Sequence, residues 1–156
     1  MRILGIDPGT RIVGYGVIDR NGSRLTAVAA GVVSVPARLP IEQRLARIAA
    51  EVRALVLEHR PESAAVEDAF VDADPRSALT IGMGRGAIIA TLGEAQLAVA
   101  SYPPATIKKA VAGNGRAAKE QVARMVGAIL GLAALPEPLD ATDALAVAIT
   151  HALRTT

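Results

Sequence analysis

Four carboxylates stand where this sequence changes direction, and their placement is the first sign of chemistry. In ILGIDPGT (residues 3–10), an apolar run ends in Asp7 just before a turn through Pro8 and Gly9. SAAVEDAF repeats the pattern with Glu67, and LDATDALAVAITH carries Asp140 and Asp143 three residues apart. A charge at the end of a buried strand is costly unless something compensates it. Each acid taken alone has a simpler use. Asp7 could close an Asx-turn onto Gly9 or Thr10. Asp140 could cap a helix, with Asp143 favouring the helix dipole from its first turn. Together they suggest something else, because ends of neighbouring strands lie only about 5 Å apart, and a three-residue spacing sets both aspartates on one helix face. Acids gathered this way repel one another unless divalent cations hold them. Mg²⁺ suits such a set: it takes oxygen ligands, keeps waters, and uses one or two carboxylates plus phosphate oxygens. Two such ions about 3.5–4 Å apart could activate a water and stabilise the leaving 3′-oxygen of a phosphodiester. A zinc site is disfavoured, since cysteine is absent and the two histidines, His59 and His151, stand apart from the acids.

The cations point towards a polyanion. Between Ala105 and Met125, Lys108, Lys109, Arg116, Lys119 and Arg124 face a single anion, Glu120, an excess of +4. The stretch from Glu67 to Asp74 reverses the sign, with Asp68 and Asp72 between them. A basic zone beside an acidic one suits metal chemistry on nucleic acid, and equally a solvated helix face next to an acidic loop. Whole-chain net charge is only +2 and decides little. Phe70, the single phenylalanine, lies among those acids, where it could pack in the loop or stack on a base.

The elements that must hold these residues can be read from the spacing. Strands are expected at Ile3–Asp7, Val13–Asp19 and about Leu25–Val35, with Asn21-Gly22 marking a hairpin. Pro40 opens a helix to about His59, stopped by Pro61. A short strand, Ala64–Glu67, leads to an acidic loop ending at Asp74-Pro75. A helix over Arg76–Ala95, a strand at Ala98–Ser101 and a brief basic helix after Pro103-Pro104 follow. Helices over Ala118–Leu132 and Asp140–Arg154 complete the chain. Antiparallel strands followed by alternating strands and helices predict an α/β domain with a mixed sheet. With 156 residues, 51% of them apolar, a single domain over 1–156 is expected. The core must be aliphatic, since aromatics make up 2% of the chain. Lack of cysteine, of a signal-peptide pattern and of a membrane-length apolar run predicts a soluble cytoplasmic protein.

The segments GIDPGTRIVGYGVID, AVEDAF, GRGAII, IKKAVAGNGRAAKEQV and LDATDALAVAITH occur in the order found in bacterial RuvC, the Holliday-junction resolvase family. The resemblance covers essentially the whole chain. It implies a ribonuclease H-like fold: a five-stranded mixed sheet, three antiparallel strands then parallel additions, with helices on both faces. It implies a homodimer that resolves four-way DNA junctions by paired symmetric nicks, using Mg²⁺ or Mn²⁺, two ions per site, in bacterial recombination and repair. By motif, Asp7, Glu67, Asp140 and Asp143 match the family's catalytic, metal-binding carboxylates. Phe70 matches an aromatic that contacts junction bases, and Lys108 and Lys119 match residues on the DNA backbone, with Lys109 and Arg116 as further DNA contacts. The dimer interface would use the helix carrying SALTIGMGRGAII, with Gly82, Gly86 and Ile89. RuvA and RuvB would be partners.

Three other readings compete. A nucleotide-binding protein of the actin-like group also begins with a strand, an Asp and a Gly-Thr turn, but needs two such subdomains. A YqgF-type relative would act on another nucleic acid. A non-catalytic junction-binding module would not need four acids.

Overall fold

In the chain, β1 (Arg2–Asp7), β2 (Ile12–Asn21) and β3 (Arg24–Ser34) come first, followed by α1 (Ile41–His59) and β4 (Ser63–Glu67). Then come α2 (Pro75–Glu94), β5 (Ala98–Tyr102), α3 (Pro104–Ala112), α4 (Lys119–Leu130) and α5 (Leu139–Arg154). These elements are those of a computed structural model, which describes residues 1–68 and 74–155. Phe70 lies outside the described residues.

The strands form one five-stranded sheet in the order β3-β2-β1-β4-β5. β1 pairs antiparallel with β2 and β2 with β3, while β4 runs parallel to β1 and β5 parallel to β4. This is the mixed sheet expected from the sequence. The hairpin turn falls one residue later than Asn21-Gly22 suggests. Asn21 pairs with Arg24, and Gly22, at φ 61°, makes the reversal with Ser23. A positive φ is inexpensive only for a residue without a Cβ.

Strand alternation divides the core into two layers. Leu4, Ile6, Ala64 and Val66 pack with Ile48, Val52 and Leu55 of α1 and Ile88 and Leu92 of α2. Ile3 and Ala65 point the other way, towards α3, α4 and α5. The same alternation sends Asp7 and Glu67 to the α5 side, at the rim where both strands end.

Helix α5 is buried from Ala141 to Ala152 except at Asp143. It lies close to the sheet because three strand residues have no side chain. A Cβ on Gly5 would come within 2.3 Å of the Ala144 carbonyl oxygen, and one on Gly14 within 2.1 Å of that of Asp140. A Cβ on Gly16 would meet the Leu145 backbone nitrogen at 2.7 Å. Gly5 and Gly16 face each other across the ladder, and Gly14 faces Asp7. The cleared face of β2 thus receives a helix. Two buried hydroxyls of α5 are satisfied locally: Thr150 donates to the Ala146 carbonyl at 2.8 Å and Thr142 to that of Pro136 at 3.1 Å.

Overpacking a close contact costs about 1–3 kcal/mol and sometimes more. Gly5→Ala should therefore lose at least about 2 kcal/mol in urea denaturation. Gly93→Ala, on an open face of α2, should be neutral or gain up to about 1 kcal/mol from helix propensity. Equal effects would mean that α5 is not held by this contact.

Candidate active site

Two strand ends and one helix start build the site. β1 delivers Asp7, and β4, in parallel register up to Ile6↔Val66, delivers Glu67 at the same rim. α5 begins above them with Asp140 and Asp143. Asp140 is not the cap of that helix: Pro138 holds the cap position, without a side-chain hydrogen bond, and Asp140 lies in the first turn. For Asp7, burial and neighbouring charges, rather than a hydrogen bond from the turn, are the leading influences on the carboxyl.

Those influences are strong. Burial, then the charges of Glu67, Asp143 and Asp140, push the Asp7 carboxyl from 3.8 to about 8, with Lys119 opposing. Burial and Asp143 push Glu67 from 4.5 to about 7, against Lys108 and Lys119. Carboxylates raised in this way are like charges confined away from water. The opposing cations are at hand. Lys119 Nζ lies 2.7 Å from an Asp143 carboxylate oxygen, and this contact raises the Lys119 pKa. Glu67, Lys108, Lys119 and Asp143 line an open cleft of about 220 Å³ together with Ile107 and Val122.

Four of the expected residues, Asp7, Glu67, Asp140 and Asp143, thus influence one another directly. Lys108 and Lys119 join them. Lys109 does not: it lies along a different groove, beside Thr106, Leu153 and Arg154. Arg116 is exposed in the turn before α4, where its backbone N–H donates to Asn114 Oδ1 at 2.9 Å. Among the described residues, no three His, Asp or Glu are drawn together tightly enough to form a ready-made metal cage. The donor set consists of hard oxygens under mutual repulsion, which fits Mg²⁺ or Mn²⁺, ions that leave most coordination positions to water and phosphate.

His151 is occupied elsewhere. Its Nε2 lies 3.2 Å from Ser63 Oγ and its Nδ1 2.9 Å from the Tyr102 hydroxyl, and burial lowers its pKa. It ties α5 to β4 and β5 as a neutral ring. The glycines of α2 divide. Gly84 packs within the chain, where a Cβ would lie 2.9 Å from the Gly9 carbonyl oxygen, whereas Gly82 and Gly86 face open space. Ile89, expected at a subunit interface, packs partly on its own chain's core beside Ile88.

Arg85 stands out fully only in the folded chain. It donates from Nη2 to Asp68 Oδ1 and to Ser101 Oγ, both at 2.6 Å, and from Nε to the Glu67 carbonyl at 3.3 Å. Asp68 therefore faces α2 and is not a fifth acid of the cleft. A signal existed, because Arg85 is the single ionisable residue between Arg76 and Glu94.

The model of the family described as "Crossover junction endodeoxyribonuclease RuvC" matches residues 3–151. The chain belongs to the RuvC family. It is 48% identical over 154 residues to the RuvC of Neisseria meningitidis serogroup A, covering 99% of this chain and 86% of that protein. The Thermus thermophilus RuvC structure is 39% identical and superposes with a TM-score of 0.88, covering 97% of this chain and 93% of that one. The same RuvC in complex with Holliday junction substrate gives 0.91 at the same identity and coverage. The RuvC architecture, and with it the ribonuclease H-like fold, is the one described above.

The raised carboxyls make stability depend on pH. A folded-state pKa above the unfolded value contributes stability that is complete below about pH 4 and lost as pH rises through about 8. Asp7→Asn removes that loss. Its stability relative to the parent should improve between pH 5 and pH 8.5 by more than about 1.4 kcal/mol, one pKa unit, in urea titrations. A constant offset across that range would show that Asp7 is not charged among charges.

Proposed function

We propose that this chain is a structure-selective endonuclease that resolves four-way DNA junctions by paired nicks, supported by divalent cations, in recombination and repair. The observation that carries the reading is the convergence of Asp7, Glu67 and the start of α5 beside two lysines, in a chain whose sequence is RuvC-like throughout. Asp7, Glu67, Asp140 and Asp143 would hold the metal ions. When bound, these would supply an activated water and stabilise the departing 3′-oxygen.

The chain's own residues do the rest. The carboxylates are fixed by β1, β4 and α5, so they need little reorganisation as charge develops. Lys108 and Lys119 reach the cleft from α3 and α4 and are placed to hold phosphate oxygens as point charges. Lys119 would leave Asp143 for a phosphate as cations enter. Lys109 and Arg116, outside the cleft, would track the backbone further along a DNA arm. Phe70 follows Glu67 by three residues and would stack on a base at the opened junction centre, a contact worth about 1–3 kcal/mol. Two nicks require two such sites. Support for a second copy comes from the exposed face of α2, with Leu79 63% and Met83 41% exposed beside Gly82 and Gly86. RuvA and RuvB would supply the junction to this dimer. Among the described residues no helix is long and apolar enough to cross a membrane, and a cytoplasmic place of action fits the substrate.

A Mg²⁺-dependent assay on a synthetic four-way junction tests the reading. The parent should make symmetric nicks and prefer the junction to linear duplex. Asp7→Asn should lose at least about a hundredfold in cleavage while binding the junction within threefold of the parent. Equal cutting of duplex and junction would sink the proposal, as would full activity in Asp7→Asn. Phe70→Ala should reduce cutting at saturating enzyme more than it reduces affinity; the reverse order would remove the stacking role.

A further inference from the structure

Glu67 has a difficult position for a residue that must be aimed accurately. It is the last residue of β4, and the β1–β4 ladder reaches only Ile6↔Val66. On the other edge the β4–β5 register continues to Glu67↔Tyr102, and the Asp68 N–H donates to the Tyr102 carbonyl at 2.9 Å. The backbone leaves the sheet immediately afterwards. A carboxylate there, repelled by Asp143 and Asp7, would turn its peptide outward unless something held the main chain.

Arg85 is in position to do so. Its side chain comes from α2, on the face of the sheet opposite the cleft, and is largely covered, with 23% of it exposed. One guanidinium binds three acceptors on two adjacent strands: the Glu67 carbonyl oxygen, Asp68 Oδ1 and Ser101 Oγ. Alternation along β4 makes this possible. Asp68 points to α2 and Glu67 to α5, so the arginine can grip the peptide from behind while the Glu67 side chain faces the cleft. A planar fork with fixed donor directions suits three acceptors, whereas a lysine offers one movable point charge.

We infer that Arg85 is a positioning residue for this active site: it fixes the Glu67 main chain from the back of the sheet and thereby tunes the site's hold on divalent cations. The inference rests on the carboxylate site proposed above and extends it to a residue that touches neither substrate nor metal. Groups that orient metal ligands change affinity by about 10–100-fold when removed.

The test measures Mn²⁺ binding to the free protein by electron paramagnetic resonance, alongside single-turnover junction cleavage against Mg²⁺ concentration. Arg85→Ala and Arg85→Lys should each weaken Mn²⁺ binding about tenfold and raise the Mg²⁺ concentration for half-maximal cutting by a similar factor. Junction affinity in Ca²⁺ should stay within threefold of the parent, and excess Mg²⁺ should recover most of the rate. Ser101→Ala removes one acceptor with little risk to folding and should give a smaller loss of about two- to threefold. Unchanged Mn²⁺ affinity in the folded variants would overturn the inference, even if their urea stability fell, and would leave Arg85 a structural ion pair. Failure of the parent to cut junctions would refute the proposed function, while the Mn²⁺ measurement would still decide the role of Arg85.

Discussion

The contact on which this molecule depends is the near-backbone approach of α5 to β1 and β2. Gly5, Gly14 and Gly16 remove the side chains that would separate them, and Ala144 and Ala148 bring the helix down to match. Interiors pack at crystal-like density, so such a contact is specified to a fraction of an ångström. Asp140 and Asp143 belong to the first turns of that helix. The contact that seals the core therefore also fixes the height of two acids above the sheet rim, and the Gly14–Asp140 approach occurs directly across the ladder from Asp7.

Like charge works against stability at that rim. Burial and like charge raise Asp7 and Glu67 towards and above neutrality, while α5 beyond its first turns is buried against the sheet from Ala144 to Ala152. Lys119 offsets part of the repulsion by pairing with Asp143. That same lysine lines the open cleft. Local frustration of this kind belongs to sites rather than to cores.

The two faces of the sheet have separate tasks. The α5 face holds the acids, the lysines and the buried His151 link to Ser63 and Tyr102. The α1–α2 face carries an aliphatic core, and from α2 the Arg85 guanidinium reaches the ends of β4 and β5. Alternation lets neighbouring residues serve both: Glu67 faces one side and Asp68 the other. Ile89 shows the same economy on α2, since it packs on its own core while Gly82 and Gly86 remain open.

Much of this was legible from local chemistry. Period-two and helical spacing, proline stops and the Asn21-Gly22 turn placed every element within a few residues, and motif order drew attention to four acids that the fold brings near one another. What determines those features acts over a few neighbouring residues, so a sequence can carry them. Tertiary structure decided the rest, because it concerns which distant groups share a space. It showed that the cleared face of β2 takes a helix, that Lys119 rather than Lys109 meets Asp143, and that Asp68 belongs to Arg85. A lone arginine among glycines announces that it needs a partner; only the fold, by stacking β4 beside β5 over α2, determines which one.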